Sequence, residues 1–257
     1  MRILIIRHGE PDYSVDSLTE KGRREAELLS RRLVNTQMDA IYVSPLGRAR
    51  DTAKPTLEKL GREAEVLPWL AEFRGHYIEA ETGRERIPWD LRAREWYERP
   101  DFLDRDRWAE EELFAGGTVA EVWQETKDGV DALLAKHGYT RDGAIYRCKE
   151  GNFKTIALFC HFGVGAAITA YLTGIPTMAL WQGTCMMPTA VTTIVTQERK
   201  QGEADFRCIS YGDLSHLYVA GERPSLYAMF PEVYNGADNT NPDSWPEGPS
   251  RDARPMW

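Results

Sequence analysis

Short unbroken apolar runs alternate along this chain with longer stretches whose apolar positions recur every three or four residues. Residues 3–6 form the first run, a buried strand that stops at Arg7, His8 and Gly9. A polar loop over 11–17 leads to a helix from about 19 to 34, with Ala26, Leu29 and Leu33 on one face and charges on the other. Residues 39–44 read as a second buried strand ending at Ser44 and Pro45, and 48–60 as the helix that follows. A third short strand spans 64–67. Strands alternating with helices predict the α/β class, a mostly parallel sheet with helices on both faces.

The pattern breaks between about 73 and 117, where Trp89, Trp96 and Trp108 stand among many charges. This stretch reads as a helical cap inserted into the sheet domain. Thr118 and Glu121 have the spacing of a capping box and start a helix that runs to about His137. Residues 144–148 and 155–160 flank Glu150, Gly151 and Asn152, which predicts a hairpin. A helix over 163–172 is stopped by Gly174 and Pro176, and 191–196 and 206–211 are the last strands. The domain organisation expected is therefore 1–221 with its cap, then an irregular Pro/Asn-rich tail over 222–257. Trp245 and Trp257 in that tail suit packing on the body or on the second subunit of a homodimer, and a disordered tail suits the composition equally.

A chain of 257 residues, 42% hydrophobic and 28% charged, can bury a real core. The formal charge of −8 argues against a nucleic-acid binder, which would carry a basic face. It leaves phosphate chemistry open, because a local arginine cluster can oppose the global sign. Cys148, Cys160, Cys185 and Cys208 are widely spaced and have no metal-ligand spacing, as expected of a reduced cytoplasmic setting. The chain enters a strand almost at once, without room for a signal peptide, and no apolar stretch reaches the roughly 20 residues of a membrane span. Neither membrane nor nucleic acid is an expected partner.

Arg7 can grip an anion with a planar fork of donors. His8 can attack phosphorus through a neutral ring nitrogen, and Gly9 lets the backbone come close to a ligand. Taken alone, the tripeptide also suits a structural histidine beside a surface arginine. Three features echo one another, however. His8 ends one buried strand, His161 ends another, and Arg48 lies just past a third. Adjacent parallel strands bring their carboxyl ends to a common edge, so the three side chains can meet over one ligand.

With these residues the chain resembles the histidine phosphatase superfamily, the phosphoglycerate-mutase-like enzymes. Arg7, His8 and Gly9 match the family's Arg-His-Gly. Leu18, Thr19, Gly22 and Ala26 match its first helix start, and Ser44, Leu46, Arg48, Ala49, Thr52 and Ala53 match the segment after the second strand. Leu70 and Glu72 match the Leu-x-Glu before the cap, and His161 the late strand-end histidine. The similarity covers most of residues 1–197. It implies that His8 is the nucleophile and that Arg7, Arg48, His161 and the backbone of Gly9 hold the phosphoryl group. Glu72 would then serve as general acid and base. A carboxylate merely paired with Arg74 at the cap edge is the other reading of Glu72. The resemblance calls for no metal and no cofactor, and the five histidines show no metal spacing. Arg74 is a candidate for a second anionic group on the substrate.

Departures from the family form shape the functional expectation. Phe162 follows His161 where glycine is common, so it would narrow the pocket or offer an aromatic wall. Pro11 and Asp12 replace the usual Thr or Ser, and the Trp and Asn of mutases are missing. The expected activity is therefore hydrolysis of a small phosphorylated metabolite by a histidine acid-type phosphatase. The alternatives are a phosphoglycerate-type mutase and a catalytically silent phospho-ligand-binding protein of the same fold.

Overall fold

The computed structural model describes residues 1–227 and 229. In chain order its strands are β1 (Arg2–Arg7), β2 (Pro11–Asp12), β3 (Ser17–Leu18), β4 (Ala40–Val43), β5 (Glu65–Val66), β6 (Tyr77–Ile78), β7 (Glu85–Arg86), β8 (Tyr139–Asp142), β9 (Ile145–Cys148), β10 (Thr155–Cys160), β11 (Val191–Lys200) and β12 (Glu203–Asp213). The helices are α1 (Glu20–Leu33), α2 (Gly47–Leu60), α3 (Ala93–Tyr97), α4 (Val119–Lys136), α5 (Phe162–Thr173), α6 (Thr177–Gly183) and α7 (Ser215–Val219).

Eight strands form one sheet in the order β5-β4-β10-β1-β11-β12-β9-β8. β5, β4, β10 and β1 run parallel to one another, as the repeated strand–helix pattern predicts. The pairings from β1 outward through β11, β12, β9 and β8 are antiparallel. All six residues of β10 are buried, which suits a central strand covered on both faces. The pleat divides β1 between two cores. Leu4 and Ile6 pack with Leu29 and Leu33 of α1 and Ala49 and Ala53 of α2, whereas Ile3 and Ile5 share a core with residues of α4 and α5. Each fully buried aliphatic contributes about 1.5–3 kcal/mol, so the alternation fixes the strand's register firmly.

Three local expectations are corrected. Residues 144–148 and 155–160 do not form a hairpin. β9 turns instead on β8 through Gly143 and Ala144, and β10 crosses over to lie between β1 and β4. Its wholly apolar sequence requires burial on both faces, which a hairpin at the sheet's rim cannot provide. Thr118 does precede α4, but its side chain makes no cap bond. Its hydroxyl bonds instead to Nδ1 of His76 at 3.0 Å and accepts the His76 N–H at 3.3 Å.

The cap is also less helical than expected. Between residues 73 and 117 the α-helix is confined to the five residues of α3, and the rest is 3-10 turns and the β6–β7 ribbon. Frequent prolines at turn starts and few amphipathic repeats account for this. Trp96 and Trp108 are buried packing residues, and Trp89 is half-buried. In the segment expected to be an irregular tail, Pro224 and Ser225 are buried against the body. Trp245 and Trp257 lie outside the described residues.

Candidate active site

The carboxyl ends of β1, β4 and β10 supply the site. His8 follows β1 directly, and its backbone N–H donates to the carbonyl of Cys160 at the end of β10 (3.0 Å). His161 is the N-cap residue of α5, and Arg48 lies in the first turn of α2. The pairing of β1 with β10 aligns Arg7 with Cys160, so the two histidines sit side by side. Their ring centroids are 5.0 Å apart, and both side chains are buried.

Hydrogen bonding selects the tautomer of His8. Nδ1 of His8 lies 2.7 Å from the carbonyl oxygen of Gly9, which can only accept. The proton is therefore on Nδ1 and the lone pair on Nε2. Nε2 of His161 lies 2.7 Å from Oγ of Ser44, which already accepts the Leu46 N–H. A serine hydroxyl can donate to that nitrogen or accept from it, so Nδ1 of His161 is a donor in the tautomer in which Ser44 donates and an acceptor in the other. Burial holds the pKa of His8 well below 6.5, reinforced by Arg7 and Arg48. Burial also lowers His161, with His8, Arg48, Arg7 and Arg74 adding to the effect. Both rings are therefore neutral at physiological pH.

Arg7 and Arg48 are buried cations held from behind. Nη1 of Arg7 donates to the Met186 carbonyl at 2.6 Å, and Nη1 of Arg48 donates to Asp16 at 2.7 Å. The Arg48 guanidinium also lies over the Tyr13 ring at 5.1 Å. Three of the buried nitrogens that lack a hydrogen-bond partner among the described residues belong to this site: Nε of Arg7, Nε of Arg48 and Nδ1 of His161. A buried donor left unpaired costs about 1–3 kcal/mol. Two guanidinium N–H groups of this kind, with the His161 ring nitrogen beside them, make a demand that a tetrahedral oxyanion meets.

Glu72 follows a 3-10 turn over Pro68–Leu70. It pairs with backbone and not with Arg74: its Oε1 accepts the N–H groups of Phe73 (2.8 Å) and Val164 (3.0 Å). Burial raises its pKa above 4.5 against the pull of those N–H groups, the Gly163 N–H and Arg7. Gly163 is required here, because a Cβ would stand 2.7 Å from Oε1 of Glu72 and 2.6 Å from the Trp89 ring. Gly9 is a second close approach, where a Cβ would meet the Gly22 carbonyl at 2.8 Å. The Gly9 N–H donates to Oγ1 of Thr52 at 2.9 Å. Phe162 is half-buried, edge-on to Trp89 at 6.3 Å, and Arg74 is exposed at the mouth.

Sequence reasoning assigned no part to Tyr13, Asp16 or Thr189. Asp16 and Tyr13 lie in a polar loop without periodicity, and only the fold carries them to Arg48. Thr189 adopts a φ of 60°, and its N–H donates to the His8 carbonyl at 3.1 Å. Ser44 and Thr52 belong to a motif already noted, and their roles depend on contacts with His161 and Gly9. Among the described residues no group of three or more His, Cys, Asp or Glu side chains has the geometry to hold a metal ion.

Residues 3–208 match the family described as the histidine phosphatase superfamily (branch 1). The adenosylcobalamin/alpha-ribazole phosphatase of Salmonella typhi is 27% identical over 190 residues, which cover 70% of this chain and 84% of that protein. Phosphoserine phosphatase 1 of Hydrogenobacter thermophilus is 25% identical over 150 residues, covering 53% of this chain and 66% of the other. Among solved structures, a phosphoserine phosphatase variant of Entamoeba histolytica in complex with phosphoserine has a TM-score of 0.56 at 20% identity. That match covers 84% of this chain and 98% of the other. The native mycobacterial glucosyl-3-phosphoglycerate phosphatase has a TM-score of 0.55 at 22% identity, covering 82% and 98%. At these identities the two structures speak for the fold.

Proposed function

The chain belongs to the histidine phosphatase superfamily, and from that membership we infer that it is a phosphomonoester hydrolase that carries the phosphoryl group on His8. The observation that carries this reading is a neutral imidazole with its lone pair on Nε2, set among three buried nitrogens of Arg7, Arg48 and His161 that no group among the described residues engages. Nε2 of His8 attacks phosphorus, forming an N–P bond as the bond to the leaving oxygen breaks. Arg7, Arg48 and His161 stabilise charge on the equatorial oxygens. Glu72 gives its proton to the leaving oxygen, then takes one from the water that attacks the phosphohistidine. Inorganic phosphate departs and His8 is restored.

The substrate class this site fits is a small phosphorylated metabolite. The relatives are named as phosphatases of differing molecules, alpha-ribazole, phosphoserine and glucosyl-3-phosphoglycerate. Phe162 and Trp89 offer the leaving group an apolar side, and the charge of Arg74, felt at His161, stands ready for a second anionic group. No helix of the described residues is long and apolar enough to cross a membrane. Four free cysteines support a cytoplasmic setting. Rapid quenching without acid, followed by mass spectrometry, tests the reading: phosphate is expected on His8 during turnover and absent from His8→Ala. Product formation without that adduct would overturn it. A panel of phosphorylated metabolites scored for released phosphate then identifies the substrate.

A further inference from the structure

Behind the nucleophile lies a buried polar cluster that the reaction does not use. Glu10 follows Gly9 directly. Its backbone N–H donates to Oε2 of Glu25 at 2.9 Å, and Oε1 of its side chain accepts from the Thr19 hydroxyl at 2.8 Å. Glu25 lies on α1 and is fully buried. The remaining oxygens of both carboxyl groups are taken by one residue from the far end of the chain. Ser225 donates its N–H to Oε1 of Glu25 at 3.1 Å and its hydroxyl to Oε2 of Glu10 at 2.5 Å. Ser225 is itself 1% exposed, and Glu10 is half-buried.

The same segment reaches the site by a second route. Oγ of Ser225 accepts the Tyr227 N–H at 3.2 Å. The Tyr227 ring meets that of Tyr13 at 5.7 Å, and Tyr13 in turn lies under the guanidinium of Arg48. On the other side, Glu222 pairs with Arg24 of α1 at 3.7 Å. Residues 222–227 are thus pinned at three points. One of these is a single residue from Gly9, and another backs a phosphate-binding arginine.

We propose that residues 222–227 are a positioning strap, in which Ser225 fixes the His8 loop and Tyr227 fixes Arg48 for phosphoryl transfer. The strap touches no reacting atom. It acts through Glu10 and Tyr13, and the inference rests on His8 and Arg48 holding the roles assigned above. Ser225→Ala keeps the backbone N–H to Glu25 but removes the hydroxyl that donates to Glu10 and accepts from Tyr227, which frees the carboxyl group next to Gly9 to move. Small displacements of a reacting group cost large factors in rate.

Full-length Ser225→Ala, Tyr227→Ala and Tyr227→Phe are compared with wild type and His8→Ala in p-nitrophenyl phosphate hydrolysis, vanadate inhibition and thermal melting. Ser225→Ala is expected to lower kcat about tenfold at temperatures well below its melting midpoint. Tyr227→Ala is expected to raise the vanadate inhibition constant several-fold, and Tyr227→Phe, which keeps the ring, to restore it. A lowered midpoint with wild-type kcat and vanadate inhibition in both alanine variants overturns the strap and assigns the segment to stability alone. If Ser225→Ala does not fold, the two Tyr227 variants decide. Hydrolysis by His8→Ala at the wild-type rate would instead overturn the phosphohistidine reading, so the two failures are distinguishable.

Discussion

At the scale of single residues, the site is governed by how burial and neighbouring charges divide the work between groups that titrate. His8 keeps its lone pair at pH values well under 6.5, because protonating a buried ring between two guanidinium groups is costly. Glu72 is pushed the other way and holds its proton above 4.5, where an ordinary glutamate has lost it. Hydrolysis of alkyl phosphates should therefore persist into acid and fall as pH rises through the pKa of Glu72. Glu72→Gln should lower kcat/KM for alkyl phosphates by about 10²–10⁴ while lowering kcat/KM for p-nitrophenyl phosphate far less, since that leaving group departs without a proton and kcat/KM excludes the later attack of water. Equal losses on both substrates would show that Glu72 is not the acid. Arg48→Ala should lower kcat by about 10²–10³, in line with removal of one oxyanion donor. Near-normal steady-state turnover in that variant would take Arg48 out of the site. Arg7, His8, Arg48, His161 and Glu72 could be singled out as candidates from motif spacing. The unpaired state of three of their nitrogens was not, because it depends on which side chains pack behind them.

At the scale of elements, Thr19 and Thr118 each stand at a predicted helix start, only Thr118 with the capping-box spacing, and they meet opposite fates. The hydroxyl of Thr19 accepts the Gly22 N–H at 3.0 Å and donates to Glu10, so it caps α1 and ties that helix to the His8 loop. Thr118 is drawn to His76 and leaves α4 uncapped by a side chain. Thr19→Ala should cost about 1 kcal/mol of stability by denaturant unfolding, within the usual range for lost N-caps. Thr118→Ala should leave the unfolding of α4 unchanged and perturb the packing of His76. A larger loss from Thr118→Ala than from Thr19→Ala would reverse the assignment. The positions of β1, β4, α1 and α2 followed from apolar periodicity, since each buries one continuous face or run, whereas the two-residue strands β2 and β3 lie in what reads as a polar loop. The rim hairpin of β8 and β9 escaped that reading. Tyr139–Asp142 is short and half polar, and its identity as a strand comes from its partner.

Across the whole molecule, a net charge of −8 surrounds a small region where cations dominate. Segments about 200 residues apart in the chain meet beside that region through Glu10, Glu25 and Ser225. Burial, with Glu10 nearby, raises Glu25 from 4.5 to about 7, although it accepts two backbone N–H groups. Below pH 4.5 the group is protonated in both folded and unfolded chains. As pH rises toward 7 the unfolded chain releases that proton first, so stability should fall across this window by on the order of 3 kcal/mol. Denaturant midpoints measured against pH should show the slope in wild type and lose it in Glu25→Gln; an unchanged slope in the variant would refute the assignment to Glu25. The sequence by itself determined the α/β class and singled out the residues proposed to handle phosphate. Those features rest on local periodicity and on short motifs, where each residue's neighbours are its neighbours in the chain. The tertiary structure alone decided which partners hold those residues, which strands close the antiparallel half, and how Ser225 meets Glu10 across most of the chain's length. Such contacts arise from packing between distant segments, and nothing in the local sequence around either partner encodes the other's position.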